Sequence, residues 1–314
     1  MPAFAGMTEG IEPETSTSDR NSPALARRWD SAQHAGAMTD PPPDEFKAFL
    51  RDRGKPAAEP EIALGGGLRL IDRSGRDWVD RQAIDLIGRF LDPGDTMVDV
   101  GAGIGAYSIV AGAAVGSAGR IEAFEPSPTR RPTLETNLRL NGIANVQIHA
   151  NLAGDGRRLD LFVDGTGRSG RRRWSVRSEG VAQRDLVRVT SLPVDALMRG
   201  RRCSLMRIGV AGGEMKVLEG AIGLLGRPDA PTVMIGIDEQ ALADFGHIPS
   251  QLVAWLAGRG HEIYAYDGER HRLLQSSAPW RLGRLLLAFP PAARNDVSRR
   301  LARAPAAREP AESL

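Results

Sequence analysis

The chain holds 314 residues, 41% hydrophobic and 25% charged, with 36 Gly, 21 Pro and one Cys. That length has room for one large α/β domain or two smaller ones and excludes a core-poor mini-protein, while the lone Cys203 excludes a disulfide scaffold. The 41 basic residues nearly balance the 39 acidic ones and all but Lys47, Lys55 and Lys216 are Arg, so the balance argues against a nucleic-acid partner.

Residues 1–58 lack sustained periodicity and carry Pro41-Pro42-Pro43, so they are expected to be disordered. No basic-then-apolar leader opens the chain, which makes the cytoplasm the expected address. A strand over Leu68 to Ile71 and a turn at Ser74-Gly75 precede a helix whose apolar positions Ala83, Ile84, Ile87 and Leu91 form one stripe. After Pro93-Gly94, the buried strand Thr96 to Val100 runs through a glycine-rich loop into a helix of small residues. The uncharged run from Val100 to Gly119 is 20 residues long, but 12 of them are Gly or Ala, so no membrane span is expected. A second strand, Arg120 to Phe124, ends at Glu125-Pro126. Ser127 can cap the next helix, which carries Leu134 and Leu138 on one face and stops near Asn141-Gly142. Val146 to His149 forms a third strand.

Beyond it lies the basic stretch Gly167 to Trp174, with Arg177 following. Such a loop could hold an anionic acceptor through its arginines and stack a ring on Trp174, or be an ordinary solvated loop. Further strands are expected at Leu205 to Gly209, Thr232 to Ile237, His261 to Tyr266 and Leu285 to Phe289. The last two, with Asp267-Gly268 between them, suit an antiparallel pair. The stretch from Ala292 is rich in Ala, Arg and Pro and reads as a tail, although Val297 and Leu301 could prolong a helix. Alternating strands and helices predict an α/β fold over 59–291, mostly parallel, with helices on both faces.

The segment Asp99-Val100-Gly101-Ala102-Gly103-Ile104-Gly105 puts glycines where the chain must turn sharply from strand to helix and where a ligand can approach the backbone. Glu125 closes the following strand, and its two oxygens can accept the two hydroxyl protons of a ribose. Loop and acid define a nucleoside-shaped site. Ala106 also completes the dinucleotide pattern G-x-G-x-x-G/A. Asp99, two places before the first glycine, favours a donor with a cationic amino group over a pyrophosphate, hence S-adenosylmethionine over NAD.

Three segments carry a more specific likeness: Asp99 to Gly105, Ala123-Phe124-Glu125-Pro126-Ser127-Pro128, and Asn137-Leu138-Arg139-Leu140-Asn141. Together they resemble the FkbM family of methyltransferases over Pro93 to Phe289. The resemblance implies a class I, Rossmann-like methyltransferase fold, with a seven-stranded sheet ending in an antiparallel hairpin. It also implies S-adenosylmethionine as cofactor and O-methylation of a small-molecule acceptor, a sugar or natural product. Carried over by motif, Gly101, Gly103 and Gly105 would line the donor, Asp99 would orient its methionine amino end and Glu125 would hold its ribose. Phe124, Pro126 and Ser127 would lie by the ribose or adenine, with Asn151 a candidate for the adenine edge.

The family's second signature, approximately Lys-Ile-Asp-Val-Glu-Gly-Ala-Glu, here reads Arg207-Ile208-Gly209-Val210-Ala211-Gly212-Gly213-Glu214. Two carboxylates have become Gly209 and Ala211, and an acid of the next strand is displaced past Gly236 to Asp238 and Glu239. Glu214 is the candidate catalytic base, with the first turn of a helix as its plainer role. His149, Asp238 and Glu239 are weaker options. The missing acids leave open a non-catalytic donor-binding or partner protein of the same fold, and Ala106 leaves open a nicotinamide oxidoreductase.

Overall fold

A computed structural model of the chain describes residues 60–72, 79–156, 158–164, 173–175 and 186–304. The segment 1–58, the turn at Ser74-Gly75, the arginine loop over 167–172 with Arg177, and the chain beyond Ala304 lie outside the described residues.

Alternation decides the architecture. In the strand β3 (Thr96–Val100) Met97 packs into one apolar layer while Val98 and Val100 pack into another on the opposite face, as a strand buried on both sides must. The same division runs through β11 (Thr232–Gly236) and β14 (Leu285–Phe289): Met234, Leu285, Leu287 and Phe289 face one layer, and Val233, Ile235, Leu286 and Ala288 the other. Helices α1 (Arg81–Phe90), α2 (Ala106–Val115) and α3 (Arg131–Leu140) cover the first face. The second is covered by α4 (Val194–Leu197), α5 (Glu214–Glu219), α6 (Ile222–Leu225), α7 (Glu239–Asp244) and α8 (Pro249–Ala257).

Five strands run parallel in the order β5 (Val146–His149), β4 (Arg120–Phe124), β3, β10 (Leu205–Ile208), β11. Antiparallel β14 and β12 (Glu262–Asp267) follow, and the short β13 (Arg272–Leu274) adds an eighth, edge strand. The expected antiparallel partnership of the last long strands is present. The turn at Asp267-Gly268, however, joins β12 to β13, because Asp267 Oδ1 accepts from the Glu269 and Arg270 amides and tightens that bend. A smaller sheet, β6 (Leu152–Ala153), β9 (Leu186–Leu192), β7 (Arg158–Asp164) and β8 (Arg173–Ser175), lies between β5 and β10 in sequence. Sequence analysis did not anticipate it.

Two other features depart from expectation. The chain after Ala292 folds into α9 (Arg294–Leu301), which buries Val297 and Leu301 in the first layer. Arg300 donates to Asp95 Oδ2 and to the Phe90 carbonyl, both at 2.7 Å, so residues far apart in sequence fix the supposed tail. A hairpin of β1 (Glu61–Gly65) and β2 (Leu68–Ile71) packs against α3. Asn137 accepts from the Ile71 amide at 2.8 Å and donates to the Ile71 carbonyl at 3.1 Å. One helical turn on, Asn141 does the same for Arg69, at 2.8 and 2.6 Å. The two amides act as a surrogate strand along the free edge of β2, and Asn137 reaches further to the Ile104 carbonyl in the glycine loop at 2.8 Å.

Replacing Asn137 by Ala strands a buried N–H and two carbonyls, each such group costing about 1–3 kcal/mol. Urea denaturation is expected to show Asn137→Ala destabilised by at least about 3 kcal/mol, and Glu135→Ala, on the exposed side of the same helix, by under about 0.5 kcal/mol.

Candidate functional site

Strand order reverses between β3 and β10, and in open α/β sheets ligands settle in the crevice at the carboxyl ends of such neighbours. Asp99 and the glycine loop extend from β3. Glu125 follows β4 on one side, and Arg207 with the 209–213 turn belongs to β10 on the other.

The glycines do different work. Gly101 has φ +85°, and a Cβ there would stand 2.5 Å from the Gly209 carbonyl oxygen. Gly105, at φ +102°, would drive a Cβ into Leu134 at 2.6 Å. Both are required by the protein's own packing. Gly103, at φ +61°, would meet nothing within 4 Å among the described residues, so here the loop leaves room for a ligand. Three of its amides are engaged within the protein: Gly101 and Ala102 donate to the Phe124 carbonyl, each at 3.0 Å, and Gly105 to the Ala102 carbonyl at 2.9 Å.

Glu125 Oε2 accepts from the Gly103 amide at 2.7 Å and Oε1 from the Ser127 amide at 2.9 Å. Burial pushes its carboxyl above the usual range against the pull of Arg130 and these two amides. Each oxygen keeps acceptor capacity, so the carboxylate that shapes the loop can also take ribose hydroxyls.

Asp99 is fully buried, and its oxygens take Arg207 Nη1 at 2.7 Å and the Ser108 hydroxyl at 2.6 Å. Sequence reasoning gave Asp99 to the donor's amino group; at that point the structure interposes a guanidinium. Arg207 also donates to the Gly101 carbonyl at 3.3 Å and lies 3.7 Å from the Tyr107 ring centre. Its part was missed, although it stands two places before Gly209 on one strand face, a spacing that aims both at the same space.

The remaining candidates are placed as follows. Phe124 is buried in the second apolar layer, 5.0 Å from the His149 ring. Ser127 is buried, and its hydroxyl accepts from the Arg130 amide at 3.2 Å in the turn ahead of α3, whose N-cap is Arg130 and not the expected Ser127. Pro126 is half-buried, with its carbonyl receiving Arg131 at 2.7 Å. Asn151 donates to the Thr190 carbonyl at 3.0 Å and so ties the chain to β9. Glu214, at the start of α5, accepts from the Gly212 amide at 3.2 Å and closes its own turn. Asp238 caps α7 by accepting from Ala241 at 3.0 Å, and Glu239 lies exposed in that helix's first turn. His149 turns to Glu122 Oε2 at 2.7 Å. Gly209 and Gly236 are both exposed at the rim, and the register Ile208↔Ile235 sets them side by side.

The model for the methyltransferase FkbM domain matches residues 99–263. The chain belongs to the FkbM methyltransferase family. No curated protein sequence matches it. Similar solved structures include precorrin-6y C5,15-methyltransferase from Geobacter metallireducens, at 17% identity over 67% of this chain and 86% of that one, TM-score 0.39. A SAM-dependent O-methyltransferase from Thermotoga maritima is 14% identical over 68% of this chain and 66% of that one, TM-score 0.37. Fibrillarin from Aeropyrum pernix, in complex with natively bound S-adenosyl-L-methionine, is 14% identical over 63% and 66%, TM-score 0.37. The fold of this FkbM chain is the class I Rossmann-like one, with β13 added at the edge, and its cofactor is S-adenosylmethionine. The open space at Gly103 and the spare acceptor positions of Glu125 fit that cofactor.

Beside the site, the buried Glu122 accepts from Arg120 at 2.5 Å and Arg201 at 2.7 Å as well as from His149. Burial pushes its carboxyl up, yet the hydrogen bonds from His149 and Arg120 and their charges outweigh burial and hold it below the ordinary glutamate value of 4.5. A lowered native pKa gives stability that is complete above the unfolded value and is lost as pH falls through the native one. Urea midpoints measured from neutral pH down to about pH 3 should therefore drop more steeply below the ordinary value in the wild type than in Glu122→Gln.

Proposed function

We propose that this FkbM chain transfers the methyl group of S-adenosylmethionine to a hydroxyl of a sugar or another small molecule, as a cytoplasmic enzyme. The observation that carries the reading is Glu125, buried at the end of β4, bonded to the Gly103 amide and adjoining the open space above that glycine. Glu125 would hold the ribose, while Gly101 and Gly103 would line the donor and Gly105 would let Leu134 of α3 pack close against the loop. When bound, the cofactor supplies an electrophilic methyl on a sulfonium. What the chain supplies is alignment of an acceptor with that methyl and exclusion of water, which can account for about 7–11 kcal/mol of a barrier. In this reading Glu214, engaged with Gly212, fixes the turn beneath the acceptor. Phe124, Ser127 and Asn151 support the scaffold around the adenosyl group from their positions in the core, the turn before α3 and the link to β9.

A second reading, a donor-binding protein without catalysis, draws on the exposed Gly209 and Gly236 at the place where the family carries acids. Methyl transfer from labelled donor to any sugar acceptor would dispose of it.

Calorimetry with S-adenosylhomocysteine tests the leading reading. Glu125→Gln places an amide N–H against a backbone N–H and is expected to weaken binding at least tenfold, about 1.4 kcal/mol. Equal binding by wild type and variant, or none by the wild type, removes the proposal.

A further inference from the structure

Arg207 is held firmly on one edge and left open on the other. Its Nη1 serves Asp99 and the Gly101 carbonyl, and its plane rests on Tyr107. A guanidinium carries five N–H donors; among the described residues, Nε and Nη2 of Arg207 donate to no protein group. The side chain is only 11% exposed. Nη2 stands 2.1 Å from where a Cβ on Gly209 would be, so the bare glycine at the rim is what gives this edge its room.

The position matters as much as the vacancy. Glu125 and Arg207 flank β3 from opposite sides, two strand spacings or about 10 Å apart, with the glycine loop between them. A ligand anchored by its ribose on Glu125 and laid across the loop brings its other end to the free edge of Arg207. In an adenosyl donor that end is an amino acid, whose carboxylate matches a planar guanidinium fork.

We infer that Arg207 receives the carboxylate of the donor's methionyl end, with Asp99 and Tyr107 as positioning residues that hold the guanidinium in place. This rests on the adenosyl site proposed above and reverses the polarity that sequence reasoning assigned to this point. A cation meets the donor's carboxylate where an anion was expected to meet its ammonium.

Calorimetry on the full chain with two probes separates the possibilities. S-adenosylhomocysteine carries the amino-acid end; 5′-methylthioadenosine keeps the adenosine and sulfur but lacks it. Arg207→Met is expected to bind S-adenosylhomocysteine at least tenfold more weakly and methylthioadenosine within twofold of wild type. Arg207→Lys, which preserves the charge beside Asp99 but not the fork, should show the same selective loss to a smaller degree. Unchanged S-adenosylhomocysteine binding in both variants overturns the inference, and so does equal weakening of both probes, which marks a structural role. Should Arg207→Met fail to fold, wild type is compared on S-adenosylmethionine and its decarboxylated form. A preference of at least tenfold for the carboxylate is expected, and equal affinity overturns the inference. Retained methylthioadenosine binding in any of these failures leaves the adenosyl site standing; loss of both probes by wild type removes the two readings together.

Discussion

Glu125 is withdrawn almost entirely from water, and its charge is tolerable only because the Gly103 and Ser127 amides point at its oxygens while Arg130 lends a favourable field. One carboxylate thus fixes two pieces of chain at once. It draws the middle of the glycine loop toward β4 and shapes the turn that leads into α3. The amides of Gly101, Ala102 and Gly105 are closed on Phe124 and Ala102, so the protein's own bonds hold the loop's conformation. Asn137 braces the loop from the opposite side through the Ile104 carbonyl while it also holds β2. The N-terminal hairpin is in this way coupled to the geometry of the candidate site.

Much of this was legible in the residues. Strands β3, β4, β5 and β14 fall within the boundaries read from hydrophobic runs, because a strand buried on both faces leaves a continuous apolar signature. Helix α9, which Val297 and Leu301 left open, was obscured by the Ala-, Arg- and Pro-rich composition of its stretch. It buries Val297 and Leu301, and its docking depends on Arg300 meeting Asp95, a partner 205 positions away. Local patterns cannot display such a contact. The short β13 gains its identity from pairing with β12, and the β6–β9 sheet from contacts made across a long insertion. The burial of Phe124 in the core has a period-two reason. With Glu125 turned to the loop, its neighbour must point the other way, into the core.

The charge argument drawn from Asp99 reached the right cofactor by a step that the structure alters. A bare aspartate would repel a pyrophosphate, but Asp99 is paired with Arg207, and the pair presents a guanidinium edge to the crevice. The choice between an adenosyl donor and a dinucleotide therefore rests on the family match over 99–263. The distinction affects how the crevice is understood. A carboxylate buried against an arginine is a fixed part of the scaffold, since removing either partner leaves an uncompensated buried charge.

The same pair explains why the degenerate signature is more than a deletion of acids. Residues 207 and 209 project to the same side of β10, and a Cβ at 209 would be 2.1 Å from Arg207 Nη2. The guanidinium in its present place and a side chain at 209 are mutually exclusive. Gly236, next to it on β11, is likewise exposed and bare. The rim has lost short carboxylates on two strands and keeps, at the signature's basic position, one long cation anchored from below. That leaves a fixed positive edge beside the glycine loop where two strand ends are bare. Chemistry at such a rim depends on how accurately the two ends of an extended ligand are held, and the two groups placed to hold them, Glu125 and Arg207, are each locked by bonds to the protein itself.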